Sequence, residues 1–265
     1  MKRLVNDRHL IWIFIIPSII LFALFALPFF ALFERSLTTD FFGYAFSDQA
    51  LQALRLSLVT STITTVVTII LGTPFAYLLA RWRFRFKPWL ELLIDLPIVL
   101  PPSVAGLSLL IAFGRRGLFG SALNVIGISL PFTTAAVVLA QTFVAAPLFV
   151  RSARVGFTEV DKQLEEAAQV EGANHWQLFK EVMFPLAGRA LLSGAILTWT
   201  RALGEFGATI LFAGNLEGIT QTMPMAIYLG FESEIGVALA LSVMLVGVSA
   251  LLLGIIRKLE REEER

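Results

Sequence analysis

Six long apolar runs separated by short charged segments organise the chain: residues 10–33, 56–80, 89–113, 132–150, 190–212 and 236–256. Each is close to the roughly 20 residues that an α-helix needs to cross the hydrocarbon of a bilayer. None shows the short alternating segments of a membrane β-barrel. Four runs are free of charge. The third carries Glu91 and Asp95 near its start, and the fifth carries Arg201 and Glu205 inside it. The pattern predicts an all-α, polytopic membrane helix bundle with six transmembrane helices. The first run follows Lys2, Arg3 and Arg8, as a secretory leader would. It holds 24 uncharged residues and no small-residue cleavage site, so it reads as a retained helix.

Composition agrees. Apolar residues make up 57% of the 265 and charged residues 15%, with a mean hydropathy of +0.78. A soluble domain carries about 25% charged residues. The net charge of +1 gives no bulk field for nucleic acid. With no cysteine, disulfides and thiolate metal sites are excluded, and His9 and His175 are too far apart in sequence to suggest a metal pair. No Gly-Lys dipeptide occurs, so there is no Walker A phosphate loop. The chain is expected to be no enzyme and to need no cofactor.

Basic residues set the orientation. With the N-terminus inside, the cytoplasmic segments hold 16 of the 21: three before the first run, Arg81, Arg83, Arg85 and Lys87, five from Arg151 to Arg189, and four after residue 256. The outer segments hold four: Arg35, Arg55, Arg115 and Arg116. The positive-inside rule then places both termini in the cytoplasm of a plasma (inner) membrane. Trp82 and Trp89 read as interface anchors. The division expected is an N-terminal helix and outer loop over 1–55, a transmembrane core over 56–256 and a charged tail over 257–265.

The segment from Arg151 to Arg189 spans 39 residues, far more than a connection requires. Thr158 and Asp161 have capping-box spacing, and a helical pattern follows to Glu171. Gly172 marks a helix stop, and Asn174 with Gln177 suits the start of a second short helix running into Pro185. The sequence Glu166-Ala167-Ala168, then Gly172, then Val182, Phe184 and Pro185 is similar to the EAA loop of type I ABC importer permeases. Val182 and Phe184 stand in place of the family's Ile and Leu. The resemblance implies that this loop docks into a separate ATP-binding subunit. Small Ala167 and Ala168 suit close approach, Gly172 suits a sharp turn, and Glu166 offers a carboxylate for a charge-assisted hydrogen bond. The same residues would also serve to pack the loop on its own bundle.

Pro97, Pro101 and Pro102 cannot all lie in one unbroken helix, because each removes a backbone donor and clashes one turn back. Freed carbonyls at membrane depth are tolerated only against protein or a water-filled cavity. The segment therefore lines either a transport path or a bundle seam. In the fifth run Arg201 and Glu205 are spaced to share a helix face, and read as a structural or gating ion pair ahead of a direct cargo contact. Gly204 and Gly207 allow close helix approach. Two stretches resemble the molybdate permease subunits of ABC importers, with sulfate and tungstate permeases sharing parts. One runs from Asp95 through Pro101, Pro102, Ser103 and Gly106 to Gly114-Arg115-Arg116-Gly117. The other runs from Arg201 through Gly204, Glu205 and Gly207 to Asn215.

That resemblance implies the pore-forming subunit of an ATP-dependent importer of tetrahedral oxyanions, molybdate or tungstate, with sulfate or thiosulfate as the alternative. It also implies a homodimer, two copies of an ATP-binding cassette subunit, an external oxyanion-binding protein and a lipid environment. Ser61, Thr65, Thr198, Thr200 and Thr209 are hydroxyls compatible with a dianion path, though such groups often bond their own backbone. The outer segment after the fifth run holds Glu217, Glu232 and Glu234 and no base, which favours delivery by a separate protein. A secondary transporter would need coupling-ion carboxylates and inverted repeats, and a membrane enzyme a nucleophile with a base or metal. Neither pattern is present.

Overall fold

The computed structural model describes the backbone of residues 7–263 and the side chains of residues 13–254. The terminal basic side chains counted toward orientation (Lys2, Arg3, Arg8 and those from Arg257 on) lie outside that range. Among the described residues every regular element is helical. In chain order these are α1 (Asp7–Ser36), α2 (Phe41–Ala45), α3 (Asp48–Arg81), α4 (Lys87–Val99), α5 (Pro102–Phe113), α6 (Gly120–Val125) and α7 (Thr134–Glu159). There follow α8 (Lys162–Val170), α9 (His175–Gln177), a π-helical stretch (Leu178–Met183), α10 (Phe184–Leu186), α11 (Gly188–Leu203), α12 (Gly207–Ala213), α13 (Met223–Ser233) and α14 (Ile235–Glu263). Four helices are long and apolar enough to cross a membrane, and six spans result if each of two bent helix pairs counts as one.

The third expected span is one of those pairs. α4 and α5 meet at an angle of 119°. Leu100 and Pro101 between them are extended, with ψ near 139° and 136°. Pro101 drives its predecessor out of the helical region, and Pro102 restarts a helix in its first turn, where its missing N–H costs nothing. The fifth expected span is also interrupted: α11 ends at Leu203 and α12 begins at Gly207. Arg201 and Glu205 are therefore not two residues of one continuous helix, as their spacing suggests.

Two compact units form. Residues 51–226 make the larger. Within it α7 packs along α11 and α12 and touches α4 and α5. In lipid, apolar contact supplies little drive for helix association, so close packing and cross-helix hydrogen bonds matter more. α7 accordingly buries Ala136, Ala140, Ala145, Ala153 and Gly156. A Cβ on Gly194 of α11 would lie 3.0 Å from Ser152 Cβ and 3.3 Å from Phe149 Cα. Thr64 Oγ1 donates to Gln141 Oε1 at 3.0 Å, Ser152 Oγ to the Ala190 carbonyl at 2.7 Å, and Trp199 Nε1 to Thr62 Oγ1 at 3.2 Å. Such bonds average about 0.6 kcal/mol each between membrane helices. The hydroxyls of Ser61, Thr65, Thr198 and Thr209 are buried inside this unit, so they are not presented along a path on its surface.

The second unit comprises residues 1–50 and 227–265. α14 packs against α1 and α2 there. α1 keeps its apolar side chains outward, with Phe14 66% and Phe22 73% exposed, which lipid tolerates at no hydrophobic cost. Tyr44 of α2 donates its hydroxyl to Glu234, and that bond to a carboxylate raises the Tyr44 pKa above its ordinary 10.0.

Candidate functional site: a broken-helix seam and a two-helix loop

The prolines of α5 and the glycines of α12 meet directly. A Cβ on Gly207 would lie 2.6 Å from Pro102 Cβ. One on Gly106 would lie 2.8 Å from the Ala208 carbonyl oxygen and 2.9 Å from Ala208 Cα. The two stretches singled out in the sequence are thus the two sides of one seam. Ala105, Leu109, Ala208 and Phe212 close it into a core with Val137 and Ala140 of α7. Pro101, Pro102, Ser103 and Gly204 are exposed on this chain, whereas Gly106 is buried in the seam.

Glu205 bridges the interruption between α11 and α12. One carboxylate oxygen pairs with Arg201 Nη1 at 2.6 Å, in the last turn of α11. The other accepts the Ala208 N–H at 2.8 Å, one of the amides that a helix start leaves without an intrahelical acceptor. The Glu205 side chain is 1% exposed and that of Arg201 is 34% exposed. A buried carboxylate held by a guanidinium and a backbone amide has both charges and lone pairs engaged. Breaking such a pair costs on the order of 3–5 kcal/mol when it is fully buried, and less with a partly wet arginine. The ion pair expected from the sequence forms, but it spans a break instead of lining one helical face.

An apolar groove of about 710 Å³ opens between α3, α4, α5 and α7, lined by residues such as Leu71, Leu93, Leu109 and Phe143. Its few hydroxyls make it a poor host for a dianion, whose desolvation would go unanswered.

The loop between α7 and α11 folds as two short helical segments joined at Gly172. α7 runs through Thr158, whose hydroxyl turns back onto the Arg154 carbonyl at 2.8 Å, so Thr158 caps nothing. Asp161 takes that place, accepting from the Gln163 N–H at 2.9 Å. Gly172 has φ +92°, a left-handed conformation that disfavours a Cβ. Asn174 and Gln177 form the reciprocal capping box expected of them. Pro185 lies in the first turn of α10, after the π-helical stretch, and does not end the segment.

α8 has no buried residue. Glu166 and Ala167 are exposed, while Ala168 packs toward the core of Phe157, Leu178 and Met183. Leu164, Val170 and Trp176 are also exposed, the last two by 88% and 68%. Glu91 of α4 pairs with Arg154 of α7 at 2.9 Å and with Lys87 at 3.9 Å, and Asp95 with Arg151 at 3.6 Å. The α4–α7 pairs join residues far apart in sequence, which no local spacing links. Among the described residues no group of acidic residues or histidines has the arrangement of a metal site.

Interrupted helices of membrane-spanning length, carrying a structured two-helix loop, are the architecture of a transport permease. The protein family described as "Binding-protein-dependent transport system inner membrane component" matches residues 72–264. The molybdenum transport system permease protein ModB of Mycobacterium tuberculosis is 42% identical over 240 residues, 91% of this chain and 90% of that protein. ModB of Escherichia coli K12 is 37% identical over 222 residues, 82% and 97% of the two chains. A solved bacterial ABC transporter that imports the acidic polysaccharide alginate superposes with a TM-score of 0.80 over 97% of this chain and 96% of its own, at 16% identity, which establishes a shared fold. The chain belongs to the binding-protein-dependent transport inner membrane components, and is the permease subunit of an ABC transporter.

Proposed function

We propose that two copies of this chain form the path of an importer for tetrahedral oxyanions, molybdate first and tungstate with it. The identity of 42% with a molybdenum permease over 91% of the chain carries this reading. The seam is compatible with it. Arg201, Glu205, Pro101, Pro102, Ser103, Gly106, Gly204 and Gly207 would form or flank the gate, with hydrogen-bond donors and no unpaired carboxylate facing a dianion. Glu205 is neutralised by Arg201 and the Ala208 amide, so it would not repel the cargo. ATP would be hydrolysed by a separate subunit, one copy per permease. Glu166, Ala167, Ala168, Gly172 and Pro185 would form or support its docking site. An external binding protein would select the anion by cavity size and donor geometry.

The complex reconstituted with its ATP-binding subunit and binding protein is expected to take up radiolabelled molybdate and tungstate in an ATP-dependent way. Uptake of sulfate alone would move the assignment to the sulfate permeases. Uptake of an amino acid and no oxyanion would reject it.

The asymmetry of basic residues, 16 against 4, supports a reading in which both termini are cytoplasmic. Reporters fused after Gly43 or Gly218 are then expected to be external, and those after Arg85 or Gly172 internal. An external signal after Gly172 would remove the loop from the ATP-binding side and refute its coupling role.

A further inference from the structure

Four cations follow one another from the end of α3: Arg81, Arg83, Arg85 and Lys87. Arg83 and Arg85 are exposed, as charges that merely orient a span should be. Arg81 is different. Its side chain is 11% exposed and pairs with Glu165 of α8, which is 17% exposed. Its Nη2 also donates to the Val160 carbonyl at 2.9 Å, at the junction where α7 gives way to α8. The same nitrogen lies 3.7 Å from Met183 Sδ, in the π-helical stretch beyond the Gly172 turn. One guanidinium thus holds three separate parts of the loop to the end of a membrane-spanning helix.

Burying a charge pair is costly, and an apolar pair of similar volume often stabilises a protein as well or better. The loop already has such packing: Leu178, Met183, Phe157 and Leu79 share a core beside Arg81. Adhesion alone therefore does not account for an ion pair here. A guanidinium adds direction, because the two N–H groups of a single planar nitrogen, here Nη2, point at a fixed angle toward the groups that they meet. The neighbouring carboxylates divide accordingly, with Glu165 turned toward Arg81 and Glu166 exposed.

We infer that Arg81 is the positioning residue that passes displacement of α8 to α3, through Glu165 and the Val160 carbonyl. This rests on the reading of α8 as the docking helix for an ATP-binding subunit.

The test uses the full complex in nanodiscs, with the molybdate-loaded binding protein, and reads uptake per ATP hydrolysed. Arg81→Glu and Glu165→Arg are each expected to keep membrane insertion, co-purification with the ATP-binding subunit and basal hydrolysis. Uptake per ATP should fall within the roughly 5- to 150-fold range of an ordinary coupling energy. The double exchange should restore most of it. Single variants that match the unmodified complex, or a double exchange as defective as the singles, would overturn the inference. If either reversal fails to assemble, Arg81→Lys decides. It keeps the charge but loses the rigid planar nitrogen that meets Glu165 and Val160 together, so the ratio should still fall with assembly intact, and an unchanged ratio refutes the role. An unmodified complex in which cargo does not stimulate hydrolysis refutes the coupling reading itself, and the inference with it.

Discussion

Replacing Ala167 by tryptophan is expected to abolish transport while leaving the permease folded in the membrane. Ala167 and Glu166 are the exposed members of the Glu-Ala-Ala triplet, whereas Ala168 packs inward against the chain's own core. A large ring at Ala168 would disturb the loop from within, so loss of function there would not separate docking from folding. A ring at Ala167 meets no part of its own core and obstructs only a partner. Truncating a hot-spot residue at a protein interface weakens binding by about 2 kcal/mol or more, roughly 30-fold or more in affinity, and a ring that holds the surfaces apart removes such contacts together. Co-purification with the ATP-binding subunit should fail, with unchanged helix content by circular dichroism. Gly172→Val is expected to act more mildly, because a β-branched residue at φ +92° distorts the turn without blocking the surface. Full cargo-stimulated hydrolysis by the Ala167→Trp complex would show that this face does not dock.

The apolar runs announced the membrane helices, because a spanning helix must be long and apolar whatever it packs against. The break before α5 was equally legible: Pro101 and Pro102 forbid continuation on local grounds alone. The break after Leu203 was not. Gly204 and Gly207 are common in membrane helices, and Arg201 with Glu205 has the spacing of an ordinary helical pair. The two residues do pair, but through a carboxylate that also reaches the start of α12, and nothing local distinguishes these outcomes. Capping chemistry was readable where it was reciprocal, at Asn174 and Gln177. It misled at Thr158, because a threonine can bond the preceding turn of its own helix as readily as start a new one. Arg81 looked the same as Arg83 and Arg85 because its role depends on which side of α3 meets α7 and the returning loop. That phase is a property of the packed unit.

Valine in place of Gly106 is expected to stop transport, and the seam geometry gives the reason. The added Cβ would meet the Ala208 carbonyl oxygen at 2.8 Å, Ala208 Cα at 2.9 Å and Leu211 Cβ at 2.9 Å. Comfortable separation between such atoms is about 3.5–4.0 Å. Two of the three neighbours are backbone, so no rotamer change relieves the contact, and α12 itself must move. Overpacking a well-packed core typically costs about 1–3 kcal/mol, and the two γ carbons of valine add to the intrusion. The displacement acts on α12 directly beside Glu205, which holds its first turn through the Ala208 amide. Gly207→Val should behave similarly, since its Cβ would lie 2.6 Å from Pro102. Gly204 supplies the control from the same motif. Its Cβ would find only the Thr200 carbonyl oxygen, at 3.8 Å, so Gly204→Ala should leave the packing of the chain and its insertion unchanged. Gly247 of α14 has nothing within 4 Å, and alanine there should be silent as well. Uptake by vesicles containing equal amounts of each variant separates the cases. The Gly106 and Gly207 variants are expected to lose at least about tenfold, the equivalent of 1.4 kcal/mol. If Gly106→Val transports as well as Gly247→Ala, close approach of α5 and α12 is not required for passage, and the seam has no part in the gate.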